Sequence, residues 1–170
     1  MRRVFLSLGS NMGNRAAHLR AARESLAALP DAGLVLTSPV YETEPWGDAD
    51  QAYYLNQVVA LDLGPDWTPR KLLEAIQGIE TSRGRQRDPA RRFGPRTLDV
   101  DVLLFGQEEV DDPDCVVPHP RLLERAFVLV PLADIAPDCP VPGGGQGVSV
   151  RQALAKIPFK ISGNVITANR

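Results

Sequence analysis

Two aspartates one residue apart, Asp99 and Asp101, stand inside "RFGPRTLDVDVLLFG", an otherwise apolar run that follows an arginine-rich segment. Read as a strand from Thr97 to Phe105, the run puts Leu98, Val100, Val102 and Leu104 on one face, because successive side chains alternate. Asp99 and Asp101 then share the other face, with α-carbons about 6 to 7 Å apart. Both carboxylates could reach one hard cation or two adjacent ones. Magnesium suits such a pair, since it takes oxygen ligands, keeps several waters and is completed by substrate phosphates. Taken alone, a D-x-D pair is more often a solvated strand face. Aspartate is nonetheless a poor strand former, so two of them in an apolar strand require a reason.

The preceding segment offers one. Between Arg83 and Arg96 there are six arginines against one acid, Asp88, whereas Val40 to Trp67 holds six acids and no Lys or Arg. Guanidinium groups donate to phosphate in a planar, bidentate way. Arg96, one residue before the strand, is the best placed, and Arg85 and Arg87 could close over a ligand if "GRQRDPARRFG" is a lid. A solvated basic loop is the plain alternative. No G-x-x-x-x-G-K-[ST] loop is present, so a nucleotide site here is of another design. His119 is fixed between two prolines in "VPHPR", with Arg121 and Arg125 following. That setting suits a phosphate contact, although a lone histidine is often structural; His18 reads as a surface residue. Trp46, Tyr54 and Asn56, with Phe127, are types that suit a flat polar heterocycle: rings to stack on it and an amide to read its edge. For Tyr54 and Phe127, core packing is the stronger reading from the residues alone.

These residues need a scaffold. Val4–Leu8 reads as a strand broken at Gly9, and Leu19, Ala22, Leu26 and Leu29 recur at helical spacing until Pro30. "LVLTSPVYET" and "YLNQVVALDL" read as strands, and Thr68-Pro69 as a helix start, a capping hydroxyl before proline. After the aspartate strand come a short helix through Arg125, the apolar run "FVLVPL", a Pro/Gly loop and a last short helix in "VSVRQALAKI". The order strand, helix, strand, strand, helix, strand predicts an α+β, ferredoxin-like βαββαβ core, an antiparallel sheet with helices packed on one face. At 170 residues the expectation is a single domain over 1–170.

Composition narrows the partners. A formal net charge of -2 gives no global pull toward nucleic acid or anionic membrane. No segment reaches the ~18 apolar residues that a membrane span needs, and the first apolar run stops at Leu8, short of a signal peptide's core. Cys115 and Cys139 form neither a C-x-x-C pair nor a cluster with histidine. A cytoplasmic monomer, with no nucleic acid and no membrane partner, is the expectation.

Four segments taken in order, "LSLGSNMGN", "YETEPWG" with "YLNQVVAL", "FGPRTLDVDVLLFG" and "VPHPRLLERAFVLVPLADIAPD", resemble the 6-hydroxymethyl-7,8-dihydropterin pyrophosphokinase family over nearly the whole chain. The resemblance implies transfer of the β,γ-diphosphate of ATP to the pterin's hydroxymethyl group in folate biosynthesis, releasing AMP. It implies two Mg2+ ions on Asp99 and Asp101, with Arg85 and Arg96 as further catalytic residues. ATP contacts would come from Gln77, Glu80, Arg85, Arg96, His119 and Arg125. The pterin would lie between Tyr54 and Phe127, with Thr43, Trp46 and Asn56 at its edge. Loops Gly9–Asn14, Glu42–Gln51 and Gly84–Pro95 would close over both. The arginine loop departs from the family pattern: it is longer, carries Asp88-Pro89, and has Phe93 where tryptophan is usual. Arg87, Arg91 and Arg92 are therefore left without roles. Two rivals remain. An RNA-binding module would need stacking rings where the two aspartates stand, and a metal-dependent nucleotidyltransferase would release pyrophosphate.

Overall fold

The computed structural model describes residues 1–45, 47–86, 88–143 and 147–168. Strand β1 (Arg2–Ser10) pairs antiparallel along its length with β4 (Tyr54–Leu63) on one side and with β5 (Asp99–Phe105) on the other. Strand β2 (Ala32–Thr37) pairs antiparallel with one half of β4, and the short β3 (Tyr41–Thr43) with the other half. With α1 (Arg15–Ala27) following β1 and α2 (Pro69–Ser82) following β4, this is the expected βαββαβ core, in the spatial order β5-β1-β4-β2. The helix signals hold. Asn14 accepts from the Ala17 N–H at the start of α1, and Thr68 accepts from Lys71 N at the start of α2, each cap worth about 1 kcal/mol.

Alternation along the central strands divides the interior in two. Val4, Leu6 and Leu8 of β1 join Leu19, Ala22 and Leu26 of α1 and Leu72 and Ile76 of α2, together with Val59, Leu61, Leu98, Val100 and Val102. Each fully buried leucine here contributes about 2 kcal/mol. Phe5, Val58 and Ala60 point the other way, against a second pair of helices, α3 (Ala126–Ile135) and α4 (Val150–Leu154). Helices thus cover both faces, not one. The run "FVLVPL" is helical in spite of Pro131; its lack of a polar face hid the 3.6 period, because this helix is buried on nearly every side.

Two further corrections concern strands. β1 does not break at Gly9 but continues to Ser10, with Gly9 paired between Asn56 and Asp99. In β5 the register shifts opposite Phe5 and Leu6, so that Leu104 turns to the α3 side and Phe105 to the α1 and α2 side. The strict alternation expected from Leu98 to Leu104 therefore ends at Val102. Past the core, β6 (Val110–Asp112) and β7 (Cys115–Val117) form a hairpin. A second hairpin, β8 (Phe159–Ser162) and β9 (Val165–Ala168), extends the main sheet through a parallel pairing of β9 with β3.

Candidate active site

The register carries both aspartates onto the α3 side of the sheet. Asp99 lies opposite Gly9 and Asp101 opposite Ser7. Gly9 in turn lies opposite Asn56, and Tyr54 opposite Thr43. Helix α3 covers only the half of this face that carries Phe5, Val58 and Ala60. Over the other half an open cleft lies on the sheet, lined by Ser7, Gly9, Thr43, Tyr54, Asn56 and both aspartates. Arg125 and Phe127, at the start of α3, and Phe93 and Arg96, from the arginine loop, complete its rim. A second cleft, under the arginine loop, shares Arg96 with the first, and a third, lined by Gln77, Glu80, Thr81 and Arg85, shares Arg85 with the second. Shared lining residues thus trace a path from the aromatic cleft, which holds the aspartates, to the cleft beside α2.

Charge is tightly arranged along it. Asp99 is gripped by two arginines, its Oδ1 3.0 Å from Arg85 Nη1 and its Oδ2 3.0 Å from Arg96 Nη1. Arg85 also pairs with Glu80, whose Oε2 accepts from the Val100 N–H at 3.0 Å. Glu80 is 4% exposed and its carboxylate is engaged by the protein itself, so it fixes Arg85 and the strand between the two aspartates. Loss of hydration lifts the Asp101 carboxyl well above the usual carboxylate range, and the negative charge of Asp99 adds to the rise. A cation between the two would relieve that repulsion. Among the described residues no cluster of three or more His, Cys, Asp or Glu side chains could hold a metal ion. Two carboxylates completed by phosphate oxygens is nonetheless a donor set that magnesium uses, and the residues fit it.

His119 sits 4.0 Å from Asp101, Nε2 to Oδ2. Burial, with Arg125 nearby, lowers its pKa to about 4, so it is neutral at pH 7. Its Nδ1 accepts from the Arg121 N–H at 3.1 Å, which places the ring proton on Nε2, toward the aspartate. A depressed histidine pKa contributes stability above the unfolded value near 6.5 and loses it as pH falls toward 4. The contribution is about 3 kcal/mol. We expect His119→Gln to flatten the pH dependence of the urea midpoint between pH 6.5 and 4; parallel curves for the two proteins would contradict a buried neutral imidazole.

In the aromatic cleft, Asn56 Nδ2 donates to Thr43 Oγ1 at 2.5 Å. The amide oxygen is left to accept from a ligand edge. Gly9 lies directly beneath it: a Cβ there would come 2.8 Å from Asn56 Oδ1. Gly9→Ala is expected to turn the amide and raise the KM for the ring-bearing substrate several-fold with less effect on the KM for the nucleotide, which steady-state kinetics would read. Sequence reasoning took Gly9 for a strand breaker, although glycine within a strand also marks close approach. Asn11 was not singled out either. Its amide nitrogen donates to Gln51 Oε1 and to the Ala52 carbonyl, its Oδ1 accepts from the Arg96 N–H at 2.8 Å, and its own N–H donates to the Arg96 carbonyl at 3.1 Å, joining three loops. Of the expected residues, Trp46 and Arg87 lie outside the described residues; all the others border these clefts or, in the case of His119, the aspartates.

Residues 5–137 match the sequence profile of 7,8-dihydro-6-hydroxymethylpterin-pyrophosphokinase. The chain belongs to this family. A 2-amino-4-hydroxy-6-hydroxymethyldihydropteridine pyrophosphokinase of Methylorubrum extorquens is 50% identical over 157 residues, covering 92% of this chain and 94% of that one. The enzyme of the same name from Pseudomonas aeruginosa is 44% identical, covering 94% of each chain, and that from Bacillus subtilis is 44% identical over 132 residues, covering 78% of this chain and 77% of that one. Among solved structures, Plasmodium falciparum HPPK-DHPS superimposes with a TM-score of 0.67 over 91% of this chain at 15% identity. That likeness speaks for the fold alone, and this chain spans 43% of that chain's length. The matched residues include five of the seven strands of the main sheet, and β8 and β9 lie beyond them. No helix among the described residues is long and apolar enough to cross a membrane.

Proposed function

We propose that the three joined clefts hold ATP and a pterin side by side, with the Asp99/Asp101 pair between them. The chain is a pyrophosphokinase of folate biosynthesis: it transfers the β,γ-diphosphate of ATP to the hydroxymethyl group of 6-hydroxymethyl-7,8-dihydropterin and releases AMP. The observation that carries the residue assignment is the register that sets both aspartates on the same sheet face as Tyr54 and Asn56, at the root of the arginine loop.

In this reading Asp99 and Asp101 hold two Mg2+ ions. The metal, when bound, neutralises phosphate charge and orients the transferred group. Arg85 and Arg96, which grip Asp99 in the described structure, are the cations that would bind the triphosphate. Arg125 and neutral His119, through Nε2–H, add donors, and Gln77 borders the nucleoside end of the path. Glu80 acts through Arg85. The pterin lies between Tyr54 and Phe127 with its edge toward Thr43 and Asn56, and Trp46 is assigned to the same edge. Rate then comes from positioning and fixed charge rather than from covalent chemistry. One pyrophosphokinase domain spans 1–170, since β8 and β9, beyond the profile match, join the same sheet. A cytoplasmic monomer, with neither nucleic acid nor membrane as partner, remains the reading, and the two free thiols accord with a reducing compartment.

The test is to incubate the protein with Mg-ATP, with and without the pterin, and separate the products. AMP formed only with pterin, in equal amount to a diphosphorylated pterin, is expected. Release of pyrophosphate instead would favour nucleotidyl transfer.

A further inference from the structure

The Phe93 ring forms one wall of the aromatic cleft, across from Tyr54, Asn56 and Phe127. For a loop side chain it is closely held. Gly47, with φ +86, abuts it: a Cβ at that position would lie 2.9 Å from Phe93 Cγ and Cδ2. The Phe93 carbonyl accepts from Gln51 Nε2 at 2.7 Å. Beside it, Arg91 donates to Asp48 Oδ2 at 2.5 Å and to the Asp50 carbonyl at 2.8 Å. Two guanidinium groups lie over the ring, Arg92 at 5.4 Å and Arg121 at 5.6 Å from its centroid. Their footings differ. Arg92 belongs to the same loop as Phe93 and moves with it. Arg121 stands on a braced segment: its own N–H bonds to His119 Nδ1, and its neighbour Leu122 is 1% exposed in the core under α3. Unlike Arg85, Arg96 and Arg125, Arg121 lines none of the three clefts described above.

A cation over an aromatic face is attracted by the ring's quadrupole. Arg121 therefore ties the one aromatic of the arginine loop to a part of the fold that does not move with that loop. We propose that Arg121 is a positioning residue for the pterin: stacked on Phe93, it holds that ring as the outer wall of the heterocycle cleft, so that retention of the pterin depends on it and binding of ATP does not. The proposal rests on reading the Tyr54–Phe127 cleft as the pterin site.

The experiment measures pterin release by stopped-flow fluorescence from protein saturated with magnesium and a non-hydrolysable ATP analogue. The variants are Arg121→Met, Arg121→Lys, Phe93→Leu and the Met/Leu double variant, with thermal midpoints taken for each. Arg121→Met is expected to speed release about three- to tenfold, with analogue affinity unchanged, and Arg121→Lys to restore most of the retention. In the Phe93→Leu background Arg121→Met should add nothing. An undiminished effect in that background, a loss falling on analogue affinity, or unchanged release would each overturn the proposal. If Arg121→Met folds poorly, Arg121→Gln in both backgrounds gives the same comparison. Asn56→Ala tests the underlying reading separately: pterin affinity untouched by it would move the pterin out of this cleft, whatever Arg121 does.

Discussion

Replacing Asp101 by asparagine lowers turnover by about three orders of magnitude and leaves pterin affinity within a few-fold. Asparagine keeps the size of the side chain and removes the charge. Burial and the neighbouring Asp99 both raise the pKa of that carboxyl, and a thermal melt checks that the variant remains folded. What disappears is one of the two carboxylates that would hold magnesium under the triphosphate. The pterin's own contacts, the stacking rings and the Asn56–Thr43 pair, are left in place. Single-turnover rates, a pterin fluorescence titration and a thermal melt read the three expectations separately. Pterin binding lost as severely as turnover would contradict the role given to Asp101.

Removing Glu80 is expected to act through stability first. Its side chain is 5% exposed and that of Arg85 11%. The Glu80 carboxylate meets Arg85 and the Val100 N–H, a backbone group lying between the two aspartates. Glu80→Ala leaves Arg85 with Asp99 as its remaining carboxylate and the Val100 amide unpaired, a loss of about 1 to 3 kcal/mol for the unsatisfied buried group. Turnover falls with it, because both Arg85 and the strand that carries Asp99 and Asp101 lose their brace. Glu80→Gln, which can still accept from Val100, should lie between. Urea denaturation and kcat are the measurements. A large loss of turnover with unchanged stability would instead make Glu80 a direct nucleotide contact.

Much of this was legible in the chain itself, for identifiable reasons. The aspartate pair could be read because a period of two in an apolar strand leaves few explanations for two carboxylates on one face. Helices α1 and α2 carried ordinary capping and periodic signals. Helix α3 did not, since Pro131 and a sequence apolar but for Asp134 gave no face to read. The turn of Leu104 to the opposite side depended on a register shift between β1 and β5, a property of pairing that no single strand displays. Gly9 reads as punctuation in the sequence, because its close approach to Asn56 Oδ1 comes from the pairing of β1 with β4. The contact of Arg121 with Phe93 joins positions remote in sequence, each unremarkable alone.

The central claim is that Asp99 and Asp101 hold metal between the nucleotide and the pterin. Crystals grown with manganese in place of magnesium, a non-hydrolysable ATP analogue and the pterin would test it by anomalous scattering. The account predicts two manganese peaks within bonding distance of the Asp99 and Asp101 carboxylates, with triphosphate oxygens completing their coordination and the pterin ring between Tyr54 and Phe127. Manganese bound to the nucleotide but away from both aspartates would contradict it.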